Sequence, residues 1–124
     1  MKVVVSYGEF QMIKNNLMSG LDDFLEKIES IFPRIKNVEI EIGFDSDKCE
    51  ELSADGYCEK FEDGSFYISL NTSIYVYEIV SVVIHEMSHI IDNVYFGNMN
   101  HGNMFESIKE KINKELLGVD EYVK

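Results

Sequence analysis

Phe10, Ile13, Leu17, Leu21, Phe24, Ile28 and Ile31 recur at spacings of three and four. That period predicts an amphipathic helix, mildly weakened at Gly20 and broken at Pro33. Ahead of it, Val3 to Val5 reads either as a short strand or as the lead-in to the helix. Beyond Pro33, "VEIEIGF" alternates apolar and polar positions and is rich in β-branched residues, the pattern of a strand. "DSDKCEELSADG" reads as a polar turn region. "YCEKF" and "FYISL" read as two further short strands, joined by "EDGS", whose Asp63-Gly64 pair supplies positive φ for a hairpin. "IYVYEIVSVVIHEMSHIIDNVYFG" is apolar around most of its girth. Its β-branched residues would suit a strand, but its length and the stop at Gly97 predict a helix, with Asn71, Thr72 and Ser73 as candidate N-caps. A helix apolar on most sides has to lie in the centre of a domain. Phe105, Ile108, Ile112 and Leu116 mark a last amphipathic helix, with His101 at its N-terminal edge and Gly118 near its end. The expected fold is α+β, one domain over residues 1–124. It comprises an N-terminal helix, a small antiparallel three-stranded sheet, a central helix and a C-terminal helix.

Charge narrows the partners. The chain carries 23 acidic residues against 11 basic ones, a formal net charge of -12. Phosphate contacts need clustered Lys and Arg, so autonomous DNA binding is not expected, and docking on an anionic membrane is disfavoured too. "MKVVVSYGEF" turns polar too early for a secretory apolar region, and no run is long enough to span a bilayer. A cytoplasmic location follows as the expectation. There, Cys49 and Cys58, separated by eight residues and matching no CxxC spacing, should be reduced thiols.

All three histidines of the chain fall in "IHEMSH" and the following "HGNMF". On a helix, residues four apart share a face about 6 Å apart along the axis, so His85 and His89 can aim their rings at one zinc ion. Glu86 is turned roughly 100° from His85, within reach of a water at the metal without being a ligand. The chain turns between Gly97 and Gly102, which lets a following helix return His101 as third ligand. Glu106 and Asp92 are alternatives for that place, Asp92 also as an acceptor for an imidazole N–H. Tyr95 occupies the glycine position of the pattern HExxHxxGxxH, which is therefore absent.

With "VVIHEMSHIID", then a short "FG"-containing connection, then "HGNMF", and with "ADGYC…GSFYISLN" upstream, the chain resembles the SprT-like family of small zinc metalloproteases, which includes the Spartan-type enzymes. The resemblance covers about residues 50 to 115. It implies a minimal zincin-like core, zinc held by His85, His89 and His101, and Glu86 as catalytic acid and base acting on a protein or peptide substrate. Two cysteines are too few for the zinc ribbon many members carry, so DNA–protein crosslink repair is not carried over. The readings from other classes are a zinc-binding but inactive domain that recognises a basic protein through its acidic surface, and an acidic nucleic-acid mimic without metal.

Overall fold

The protein is described here by a computed structural model, which covers residues 1–6, 14–44, 46–71 and 78–117. Strand β1 (Lys2–Ser6) leads to helix α1 (Lys14–Ile31), a single 3-10 turn (Pro33–Ile35) and strand β2 (Glu39–Phe44). Helix α2 (Ser46–Glu51), strands β3 (Gly56–Lys60) and β4 (Phe66–Leu70), and helices α3 (Ile79–Phe96) and α4 (Asn103–Ile112) follow. The architecture is α+β. Of the first predicted helix, Phe10 and Ile13 lie outside the described residues; Leu21 and Ile28 are buried on α1 as the period requires, together with Leu25.

The sheet departs from the three antiparallel strands expected. It has four strands in the order β1-β2-β4-β3. β2 runs parallel to both β1 and β4, and only the β3–β4 hairpin is antiparallel. Alternation reveals which residues share a face but not which strand lies alongside or in which direction. Direction follows from the connections. Helix α1 carries the chain back between β1 and β2, and α2 with β3 does so between β2 and β4, so each pair must be parallel. The "KVVV" run is a true strand, and β3 is left at an edge.

The polar stretch after β2 also holds more order than expected, in the six-residue α2. One apolar residue, Cys49, anchors it. Cys49 is fully buried, and its thiol lies 3.9 Å from the Ser69 hydroxyl, to which it donates. The hairpin turn is as read: Gly64 has φ +89, and the Asp63 carboxylate accepts from the Ser65 backbone N–H (2.9 Å) and hydroxyl (2.6 Å). Those bonds hold the Asp63 carboxyl below its ordinary pKa.

Ile40, Ile42, Phe66, Ile68 and Leu70 form the inner face of the sheet. Against them pack Leu25 and Ile28 of α1 and Val83, Ile84, Met87, Ile90 and Ile91 of α3. Helix α3 is therefore central, as its apolar girth demands. It is described from Ile79, and the earlier turn that the sequence suggests lies outside the described residues. Asn71 does not cap it but binds the chain at Asp55 and Ala54, and Thr72 and Ser73 lie outside the described residues. No helix among the described residues is long and apolar enough to cross a membrane.

Helix α3 approaches the sheet closely at Gly56, the first residue of β3. A Cβ there would stand 2.7 Å from Val82 Cγ1 and 2.9 Å from the Ser69 carbonyl oxygen. Neither distance is tolerable, and the second neighbour is backbone that cannot swing away. Gly56→Ala should therefore destabilise the chain by about 1–3 kcal/mol, the usual cost of forcing an extra methyl into a packed site. Urea denaturation measures this; an unchanged midpoint would mean that α3 and β3 do not meet this closely.

Candidate metal centre

His85, Glu86 and His89 lie on α3, and the burial of that helix decides their surroundings. His89 is 8% exposed and Glu86 4%, whereas His85 is half-buried. Gly97 ends the helix in the left-handed conformation (φ +77), its N–H returning to the Asn93 carbonyl. The chain then reverses. Asn98 donates its amide to the Asp92 carboxylate (3.3 Å), and the Asn100 side-chain oxygen accepts from the Gly102 N–H (3.1 Å). Between these two fastenings sits His101, just ahead of α4.

The three imidazoles converge. His101 Nε2 lies 3.0 Å from His89 Nε2 and 3.2 Å from His85 Nε2. One ligand atom from each ring falls within 4.8 Å of the others. Nitrogens at 2.0–2.1 Å from a tetrahedral ion stand about 3.3 Å apart, so the observed spacing suits a single small cation. The chemistry of the rings agrees. Burial lowers the pKa of His89 to about 4, with His85 and His101 adding to the effect. His85 is lowered as well, by burial first, then by His101 and Lys109, with Glu106 opposing. Both rings are therefore neutral near pH 7, the state in which imidazole binds metal.

Phe105 forms the floor. Fully buried on the first turn of α4, it meets His89 at 4.4 Å between ring centroids and His85 and His101 at 4.9 Å each. From the sequence it reads only as a core residue. Its place four positions after His101 was the available signal. Asp92 and Glu106 stand outside the cluster. Glu106 is exposed and lies 3.7 Å from Lys109. Asp92 is fully buried, with its second carboxylate oxygen unpaired, as is His89 Nδ1. Tyr95 turns away from the histidines: its hydroxyl accepts the Arg34 N–H (3.1 Å). Tyr75 and Tyr77 lie outside the described residues.

Glu86 makes no hydrogen bond or ion pair among the described residues, and burial raises its carboxyl to about 7. It faces β3, with its Cγ 3.7 Å from where a Gly56 Cβ would be. The Cys58 thiol is pushed upward by burial and then by the charges of Glu86 and Glu59, so it is un-ionised at neutral pH. Cys49 and Cys58 are both free thiols.

Paired histidines one turn apart on a buried helix, a third histidine returned by the next helix and an unpaired buried acid beside them define a protein that could hold a metal ion. The chain belongs to the SprT-like family, whose model matches residues 22–124. No curated protein and no solved structure matches it.

The titrations of Glu86 and His89 oppose one another in the metal-free protein. Folded Glu86 keeps its proton up to about pH 7, whereas in the unfolded chain it releases it near 4.5. Folding is therefore penalised increasingly as pH rises from 4.5 to 7. Unfolded His89 takes up a proton near 6.5 and folded His89 only near 4, so its penalty grows as pH falls through that window. Glu86→Gln removes the first effect and leaves the second. In EDTA, its stability relative to the parent should increase as pH is raised from 4.5 to 7 and then level off. Urea midpoints of the two proteins across that range provide the check; a constant difference would mean Glu86 is not raised.

Proposed function

We propose that the chain is a zinc-dependent metallopeptidase. The observation that carries this reading is the convergence of three imidazole Nε2 atoms beside a buried carboxyl poised near neutrality. His85, His89 and His101 would hold the ion. When bound, zinc supplies Lewis acidity for a carbonyl and lowers the pKa of water, so that a nucleophile is present at neutral pH.

The chain's own residues do the rest. Glu86 has a pKa near the working pH, which suits both halves of its task. Its carboxylate takes the proton of the attacking water and then, as the acid, delivers it to the leaving amine nitrogen. Phe105 and the surrounding apolar residues hold the rings in place and keep bulk water from their inner side. Strand β3 lies at an edge of the four-stranded sheet, next to Glu86. An extended substrate segment would add there as a further strand, its backbone bonds setting the register of the scissile bond. The substrate class is thus an unstructured or locally unfolded protein segment. With a net charge of -12, the domain acts without binding duplex DNA by itself, and a cytoplasmic location fits its two free thiols.

Glu86→Gln preserves shape but removes basicity. It should retain near-equimolar zinc, by elemental analysis, while casein cleavage falls by roughly two to four orders of magnitude. His101→Ala should lose zinc, and activity should track the remaining metal. Undiminished cleavage by Glu86→Gln would defeat the mechanism. A parent protein that holds zinc yet leaves casein intact would point instead to an inactive zinc-binding domain.

A further inference from the structure

Helices α3 and α4 border a second feature besides the histidine cluster, an apolar groove of about 190 Å³ whose walls include Phe32, Tyr95, Phe96, Met104, Ile108 and Lys111. Its rim is unusual for a surface. Phe96 is 52% exposed and Met104 46%. Large apolar side chains left open in one place mark an interaction site more often than chance exposure does.

One end of the groove carries positive charge. The Arg34 guanidinium lies 4.7 Å over the Tyr95 ring, and the Lys111 ammonium lies 5.6 Å from the centre of the Phe32 ring. Phe32 and Tyr95 themselves meet edge to face at 5.8 Å, so both cations sit on one aromatic pair. Neither forms an ion pair among the described residues. In a chain with more than two acids for every base, two unneutralised cations at one apolar groove are a local reversal of the overall field. At physiological salt, charges beyond about 8 Å are largely screened, and the one charged side chain among the described residues lining the groove is Lys111, with Arg34 over the Tyr95 ring that also lines it.

We propose that this groove docks a short amphipathic segment of another protein, one that places an apolar anchor between Phe96 and Met104 and carboxylates beside Arg34 and Lys111. The groove's concave shape and apolar lining suit a row of side chains from a peptide. The cations select acidic flanks, the opposite of what the net charge of -12 would select. A second copy docked groove to groove is disfavoured at close range, because it would set Arg34 and Lys111 against the same cations of its neighbour. The groove is separate from the histidine cluster and uses none of its ligands, so the proposal holds whether or not the chain hydrolyses peptides.

The test uses the whole chain, with zinc content and the urea midpoint verified for every variant. The probe is a short fluorescein-labelled helical peptide with leucines along one face and glutamates flanking them, titrated by fluorescence anisotropy at physiological salt. Saturable binding is expected. It should weaken at least tenfold when the glutamates are replaced by lysines, and disappear when the leucines are replaced by serines. The double change Arg34→Glu with Lys111→Glu should weaken the parent peptide at least tenfold, because two favourable surface charge contacts become repulsive ones. Phe96→Ser should weaken it comparably through the apolar contact. All three side chains are exposed, so the changes leave the core intact. Equal or tighter binding of the lysine peptide would overturn the proposal, because the overall charge would then be in command. So would unchanged binding by the double variant. Self-association of the parent in sedimentation, abolished by Phe96→Ser, would overturn it in favour of a second copy as occupant.

Discussion

The burial of α3 is the constraint on which everything else rests. An eighteen-residue helix with apolar residues on most sides cannot lie on a surface, so the sheet takes one flank and α1 and α4 take others. That placement alone puts His89 and Glu86 into a dry environment. It also explains why Gly56 carries no side chain, since the edge strand must approach the helix at Val82 and Glu86. The reactive character of the site is a by-product of packing: the same contacts that complete the core raise one carboxyl and lower two imidazoles.

The electrostatics of the cluster can be understood without invoking any partner for Glu86. Desolvation is the only cause of its shift, and removing an anion from water with no compensating hydrogen bond costs free energy that protonation avoids. The imidazoles obey the same rule with the sign reversed. Glu86 is thus poised between its two forms near pH 7, while His85 and His89 are neutral and crowded together with no charge of their own to hold a partner. A divalent cation would remove that crowding and give the buried Asp92 carboxylate, bound by one oxygen to Asn98, a charge to balance it.

Much of this was legible in the residues, and what was not has a common cause. The period of Leu21 to Ile31, the length of the segment around His85, the Asp63-Gly64 turn and the spacing of His85, Glu86, His89 and His101 are all local patterns. Each survives in the fold. Strand order is not local. Ile40 and Ile42 announce a buried face, but nothing in them says that Phe66 and Ile68, more than twenty residues on, will lie alongside and run the same way. Helix α2 escapes a periodicity reading because it is too short to repeat and has one buried anchor, Cys49. Phe105 shows its spacing but not the three rings above it. Glu86 shows its identity but not its burial, which depends on a glycine thirty residues earlier. The apolar groove is invisible for the same reason, drawn as it is from the turn after α1 and from two later helices.

Helices α3 and α4 pack together and carry both features along one seam. His85 and His89 lie opposite His101 and Phe105, while Tyr95 and Phe96 border the groove together with Met104, Ile108 and Lys111. The angle between the helices is therefore one variable read at two places. Whatever fixes it from the histidine side has already met part of the ordering cost on the groove side, and the saving is the same in the reverse direction. A domain of this size can in this way make its chemistry sensitive to what it holds some distance away, with no moving part other than the seam itself.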